Sequence, residues 1–97
     1  MTVTHRLASF AVETAADDLT EHVGAESYRL VLDTIGCAIG AADLGPAVTL
    51  IEEVASWGGV PEAAIWGTAH RTSAVQAAYA NAYLANLLDA DETLLNQ

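Results

Sequence analysis

Four side chains that could do chemistry lie close together in the segment LLDADETLLNQ, residues 87–97. Asp89, Asp91 and Glu92 supply carboxylates, and Thr93 supplies a hydroxyl. Carboxylates transfer protons, attack electrophiles or bind hard cations, and a hydroxyl can donate a hydrogen bond to an anion. The segment therefore allows four interpretations: a phosphatase nucleophile motif, a metal site, part of an active site finished by another chain, or a frayed acidic tail.

The first two interpretations lack the surroundings that their chemistry needs. Asp89, Asp91 and Thr93 have the Asp-x-Asp-x-Thr spacing of haloacid-dehalogenase phosphatases, in which this motif follows a central parallel strand. The preceding residues are instead rich in alanine and poor in β-branched side chains, which favours a helix. A calcium-binding EF-hand loop would need glycine at its sixth position, where Leu94 stands. We therefore expect no metal site.

An acidic tail is the simpler alternative, because chain ends are commonly disordered. However, Asp89 would follow the C-terminus of a helix, where the macrodipole is negative and a carboxylate is unfavourable. Selection for stability would place a cation or glycine there. This position is therefore a mild indication of function.

The charge balance excludes several classes of partner. The chain of 97 residues has thirteen acidic residues, three arginines, no lysine and a formal net charge of −10. Arg6, Arg29 and Arg71 are scattered, so no basic patch could bind nucleic acid or an anionic membrane. His5 and His22 lie on polar helical surfaces, and His70 lies in a predicted surface loop.

The remaining composition predicts a cytoplasmic protein. Cys37 is the one cysteine, so no internal disulfide is possible, and its apolar neighbours predict a buried thiol. The N-terminus lacks the apolar core of a signal peptide. No uninterrupted apolar stretch reaches the roughly 18 residues of a membrane span, since Asp33 and Asp43 interrupt the best candidate.

Hydrophobic spacing predicts an all-α fold of four helices in one domain. They run over roughly 3–14, 21–41, 46–57 and 73–88, with an extended link or short edge strand in VPEAAIWG, residues 60–67. Thr20 should cap the second helix, Pro46 should begin the third, and Gly58 and Gly59 should end it. Ser73 and Gln76 should form a capping box for the fourth helix.

The second helix is apolar on more than one face, and its later half should be buried nearly all round. Its stripe of Arg29, Asp33, Gly36 and Gly40 predicts an Arg29–Asp33 ion pair. Because 53% of all residues are hydrophobic and only 16% are charged, we expect much of the surface to be covered by another chain. In the fourth helix, each of Asn81 and Asn86 should bond a neighbouring helix or face water, and the alternative is that one of them lines a pocket.

The chain as a whole resembles the N-terminal region of the MmgE/PrpD family, which includes 2-methylcitrate dehydratase, cis-aconitate decarboxylase and iminodisuccinate epimerase. Four blocks carry the resemblance in order: LASFAVE near the start, LVLDTIGCAIGA at 30–41, GGVPEAAIWGT at 58–68 and SAVQAAYANAYLANLLDADET at 73–93. The second and fourth blocks are the most distinctive. Together the blocks extend over nearly all of the chain.

The resemblance implies a helical domain, a lid domain elsewhere, and metal-independent proton transfer at a carbon next to a carboxylate, with no cofactor. Elimination, decarboxylation or epimerisation of a small polycarboxylate then follows. The family pattern Asp-Phe-Asp-Asp-Thr gives Asp89 as the catalytic residue and Thr93 as a substrate-binding residue, and we add Asn86 as a substrate-binding candidate. Ala90 and Glu92 depart from that pattern, as does LLNQ, where members often begin a histidine-proline stretch.

We expect residues 1–97 to be the N-terminal part of a larger helical domain that another chain completes. A hetero-oligomer would supply the cations that a small anionic substrate needs, because this chain has few. One alternative is the same fold with an altered loop that hydrolyses a cyclic or activated carbonyl compound. The other is an acidic helical interaction module without catalysis.

Overall fold

The computed structural model describes residues 1–88, and this part of the chain is mostly helical, as the spacing predicts. Its helices are α1 (Val3–Glu13), α2 (Glu21–Ala41), α3 (Gly45–Ser56) and α4 (Ala74–Leu87), with a 3-10 turn over Ala16–Asp18. A small antiparallel hairpin, β1 (Ala63–Ala64) and β2 (Arg71–Thr72), lies between α3 and α4. The predicted all-α class is confirmed.

The helix boundaries follow the capping residues. Thr20 accepts a hydrogen bond from the Val23 backbone N–H at 3.2 Å, and Ser73 accepts one from the Gln76 backbone N–H at 3.3 Å. Pro46 lies in the first turn of α3, where its missing N–H costs no helical bond. After α3, Gly58 and Gly59 have φ of 74° and 115°, which favour glycine and end the helix.

The reciprocal half of the predicted capping box is wrong. The Gln76 side-chain oxygen accepts the hydroxyls of Ser73 at 2.7 Å and Thr72 at 3.0 Å. The Ala74 backbone N–H donates instead to the Glu62 carboxylate at 3.0 Å. A carboxylate from the hairpin therefore caps α4, which ties the helix start to the preceding segment.

Hydrophobic spacing predicts only one strand of the hairpin. Ala63–Ala64 confirms the predicted short edge strand, but its partner Arg71–Thr72 was not predicted. Gly67 in the connecting turn has φ of 78°, and a Cβ there would lie 2.8 Å from the Ala42 Cβ. Glycine therefore lets the turn approach the C-terminus of α2 closely.

Small side chains dominate the core. The buried residues on α2, α3, the hairpin and α4 form one cluster: Ala38, Ala41, Ala47, Ile51, Val54, Ile65, Ala80, Leu84 and Ala85. Alanine at most facing positions lets helix axes approach closely. The inward face of α3 consists of Ala47, Ile51 and Val54.

Large apolar side chains on α1 and α2 lie outside this core. No residue of α1 is buried, and Leu7 and Phe10 are mostly exposed. On α2 the side chains of Tyr28 and Leu32 are 82% and 73% exposed. The prediction that the later half of α2 is buried nearly all round is wrong within residues 1–88, since Ile39 is exposed and Cys37 is only half-buried.

Among residues 1–88, no single helix is both long and apolar enough to cross a membrane. Helices α2 and α3 together are long and apolar enough for a span, but the pair is bent by 94° at the break between them.

Candidate functional site

The candidate site lies at the C-terminal end of α4. This helix ends at Leu87, with Leu88 as its C-cap, so Asp89 is the next residue in the sequence. The two residues given by the family pattern, Asp89 and Thr93, lie outside the described residues. The third candidate, Asn86, lies in the last turn of α4 and is exposed.

Asn86 lines an open groove of about 490 Å³ together with Tyr79, Ala82, Tyr83 and Leu87. Tyr79, Tyr83 and Asn86 follow each other at i, i+4 and i+7, so they share one face of α4. The groove thus combines two phenol groups with one side-chain amide. All three are hydrogen-bond donors that suit the oxygens of a carboxylate.

Asn81 has a different role from Asn86, although both lie on α4. Its side-chain N–H donates to the Ala64 carbonyl at 3.1 Å, and its side-chain oxygen accepts the Trp66 N–H at 2.9 Å. The residue is only 8% exposed. Asn81 therefore bonds the hairpin and not the neighbouring helix that the sequence suggested, whereas Asn86 lines a groove.

Contacts near the start of α4 join the helix to the segment before β1, and Arg71 joins that segment to β2. The Glu62 carboxylate accepts the Ala74 N–H. Arg71 donates to the Pro61 carbonyl at 3.3 Å and to the Glu62 carbonyl at 3.1 Å. Gly59 passes so close that a Cβ would lie 2.6 Å from the Gln76 side-chain oxygen. These contacts and the two Asn81 hydrogen bonds orient the helix that leads to the candidate site.

The outer face of α4 carries exposed apolar surface as well as the polar groups of the groove. Ala77, Ala80 and Leu84 are buried, whereas Val75 is 80% exposed on the opposite side. Tyr79 and Tyr83 are exposed beside it. Aliphatic and aromatic side chains thus lie exposed beside the groove on α4.

None of the three arginines is among the described residues that line this groove. Arg29 pairs with Glu26 through Nε and Oε2 at 3.2 Å, and the Arg29–Asp33 pair stays a prediction. Here the acid precedes the arginine, which is the favoured order on a helix. Arg71 begins β2 and bonds backbone carbonyls, and Arg6 lies beside Leu7 and Phe10 on α1.

No group of three or more metal-ligating side chains occurs among residues 1–88. The acidic cluster at Asp89, Asp91 and Glu92 lies outside this part of the chain. His5, His22 and His70 are exposed, as their positions in the sequence predict.

A family model described as the MmgE/PrpD N-terminal domain matches residues 5–97. The chain belongs to the MmgE/PrpD family. The match spans all four helices, the hairpin and the acidic segment, and it confirms the resemblance to the N-terminal part of the family. No curated protein and no solved structure matches the chain significantly.

Within this MmgE/PrpD domain, the sequence predicts some site residues better than others. Asp89 and Thr93 stand out because the family motif contains them. Tyr79 and Tyr83 were not predicted, although their spacing to Asn86 is a usable signal for one helix face. Asn81 and Glu62 hold α4 through long-range contacts, which no local pattern reveals.

Proposed function

We propose that this chain forms the N-terminal part of an MmgE/PrpD-like enzyme that transfers a proton at a carbon next to a carboxylate. Its substrate is a small polycarboxylate, and the overall reaction is of the dehydratase, lyase or isomerase type. The observation that supports this most strongly is the family match over residues 5–97, because it includes the acidic segment after α4. Asp89 is the proposed proton-transfer residue.

The architecture around α4 suits this proposal. Hydrogen bonds from Asn81 to the hairpin and the Glu62 cap hold the helix at its middle and at its start. The last turn, with Asn86 and the adjacent groove, leads directly into Asp89 in the sequence. A catalytic group at the end of a packed helix is better positioned than one on a long loop.

The chemistry also gives Asp89 and Thr93 separate roles. A carboxylate at the negative end of a helix is a poor choice for stability, but it can serve as a general acid or base. Thr93 would donate a hydrogen bond to a substrate carboxylate, and Asn86 would donate another from its side-chain amide.

The charge of the chain requires a second component. A buried polycarboxylate needs paired cations, and Arg29 and Arg71 already have partners in this chain. We therefore propose that the remaining part of the family fold, carried on a complementary polypeptide, supplies the basic residues. It would cover the exposed apolar faces of α1, α2 and α4 at the same time.

The proposal is tested by solvent deuterium exchange in the complete enzyme. A panel of small di- and tricarboxylates in D2O is followed by proton NMR, which detects exchange at the carbon next to a carboxylate whatever the later step. We expect exchange with at least one substrate, and a loss of roughly 100-fold or more in Asp89→Asn. Asp91→Asn is the matched control, because it removes the same charge two residues away.

Hydrolysis of a cyclic or activated carbonyl compound is the alternative within the same fold, suggested by Ala90 and Glu92 in place of the family residues. It would consume its substrate and incorporate solvent oxygen without carbon–hydrogen exchange. An acidic interaction module would do neither. Unchanged exchange in Asp89→Asn would remove this residue from the proposed mechanism.

A further inference from the structure

An exposed aromatic pair joins α3 to α4 on the outer surface. Trp57, the C-cap of α3, and Tyr79 of α4 have ring centroids 6.1 Å apart and ring planes inclined by 42°. Their side chains are 51% and 55% exposed, so about half of each surface remains accessible. Two large aromatic rings held together at a protein surface commonly mark a contact site.

A carboxylate is fixed at the edge of this pair. Glu53 lies one turn before Trp57 on α3, and its Oε1 accepts the indole N–H at 3.2 Å. This bond holds the indole ring and the carboxylate in one orientation. Within residues 1–88, the second carboxylate oxygen of Glu53 has no ion-pair partner. The site therefore combines π faces with an uncompensated negative charge, and both attract a cation.

The cation cannot come from the described part of this chain. Of its arginines, Arg29 pairs with Glu26, Arg71 bonds the hairpin, and Arg6 lies on α1. The chain contains no lysine. A second copy would bring another net charge of −10, which makes association of two copies unfavourable. Charge complementarity therefore favours a basic partner.

We propose that Trp57, Tyr79 and Glu53 form a docking site for an arginine side chain of the polypeptide that completes this domain. A guanidinium group is planar, stacks on an aromatic face and bonds a carboxylate through parallel N–H groups. It can therefore use both parts of the site at once, whereas a lysine ammonium offers only a point charge. The identity of the partner rests on the proposed function. The preference of the site for an arginine side chain rests only on Trp57, Tyr79 and Glu53.

The test measures association between residues 1–97 and the remaining part of the enzyme, prepared as two polypeptides. Glu53→Gln removes the charge and keeps the shape, and we expect it to weaken the association about ten-fold at low salt. Glu52→Gln is the matched control, because Glu52 is an equally exposed neighbour that lies beside Ile51 and His70 instead. It should change the affinity by less than about two-fold.

A second variant tests whether Glu53 and Trp57 bind the same guanidinium group or contact the partner independently. Trp57→Leu should also weaken association, and the double variant Glu53→Gln/Trp57→Leu should lose less than the sum of the two, because both groups bind one guanidinium. High salt should reduce the effect of Glu53→Gln. Far-UV circular dichroism of each variant checks that its total helical content equals that of the wild type.

The outcomes separate this site from the proposed function. If the wild-type chain binds the remaining part of the enzyme and the Glu53→Gln variant binds it equally well, the docking site alone is overturned. Equal weakening by Glu52→Gln and Glu53→Gln would also overturn it, since the attraction would then be diffuse. If the wild-type chain does not associate with the remaining part at all, the proposed function and the docking site both fail.

Discussion

At the scale of single residues, the two asparagines of α4 show how alike side chains take different roles. Asn81 is buried and bonds the hairpin through both atoms of its amide, whereas Asn86 is exposed in a groove. The sequence places both in one helix but cannot separate them, because the difference depends on a hairpin that lies 15 to 17 residues earlier in the chain.

This difference predicts opposite effects of the same substitution. Asn81→Ala leaves the Trp66 N–H and the Ala64 carbonyl without their partner and should lower the free energy of unfolding by about 1–3 kcal/mol. Asn86→Ala should change it by less than about 0.5 kcal/mol and should instead raise the substrate KM. Denaturation of the assembled enzyme measures the first effect and steady-state kinetics the second. Equal stabilities for the two variants would contradict the assignment.

Thr93 is predicted to act through one hydrogen bond to the substrate. Thr93→Val keeps the shape of the side chain and should weaken substrate binding by about 1–3 kcal/mol, as expected for a bond to a charged group. The measurement is the KM of the best substrate in the carboxylate panel. Thr93→Ser retains the hydroxyl and should stay near the wild type. Wild-type affinity in Thr93→Val would make this threonine a structural residue.

At the scale of elements, the four helices were predictable and the hairpin was only partly so. Thr20, Pro46 and Ser73 each satisfy or avoid an unpaired N–H at a helix start, so the local sequence determines these boundaries. The strands have two residues each, and Ala63 and Ala64 have no particular strand preference. Their pairing is established by the turn at Gly67 and by the contacts with α4.

The prediction that the later half of α2 is buried was wrong, because burial depends on more than the pattern of apolar residues. The apolar faces of α2 predict burial, but the sequence does not show which segment or partner would bury them. Within residues 1–88, Tyr28, Leu32 and Ile39 are exposed. The sequence thus predicts the candidate site from a family motif and the helices from local rules, while the extent to which each apolar face is buried depends on long-range contacts that local rules do not contain.

The contact between the hairpin and α2 gives a prediction with a matched control. Gly67 and Gly58 have nearly the same φ, but only at Gly67 would a Cβ clash, 2.8 Å from the Ala42 Cβ. Gly58→Ala should cost about 1 kcal/mol for the left-handed backbone alone. Gly67→Ala should cost about 2–4 kcal/mol, because overpacking is added. Similar unfolding midpoints for both variants would show that the turn can shift away from α2.

At the scale of the whole molecule, the chain has more apolar surface than its own core can cover. The side chains of Leu7, Phe10, Tyr28 and Leu32 are all at least 64% exposed. We expect the isolated chain to bind a hydrophobic dye and to lack a sharp cooperative unfolding transition, and we expect both properties to change when the remaining part of the enzyme is added. Cooperative unfolding of the isolated monomer would contradict this.

The charge of the whole molecule leads to a prediction about its arginines. Substitution of Arg6, Arg29 or Arg71 by glutamine, one at a time, should leave substrate affinity within a few-fold of the wild type. Arg71→Gln should lower stability, since its guanidinium bonds two carbonyls of the segment that leads into the hairpin. A large loss of affinity in any of the three would place the anion-binding cation on this chain instead of its complement.

We propose that residues 1–97 supply one side of an active site that the remaining part of the family fold completes. The most direct test measures deuterium incorporation next to the substrate carboxylate for residues 1–97 alone, for the remaining part of the enzyme alone, and for the two combined. We expect deuterium incorporation only in the combined sample. Incorporation by either polypeptide alone, or none in a combined sample that demonstrably forms the complex, would contradict it.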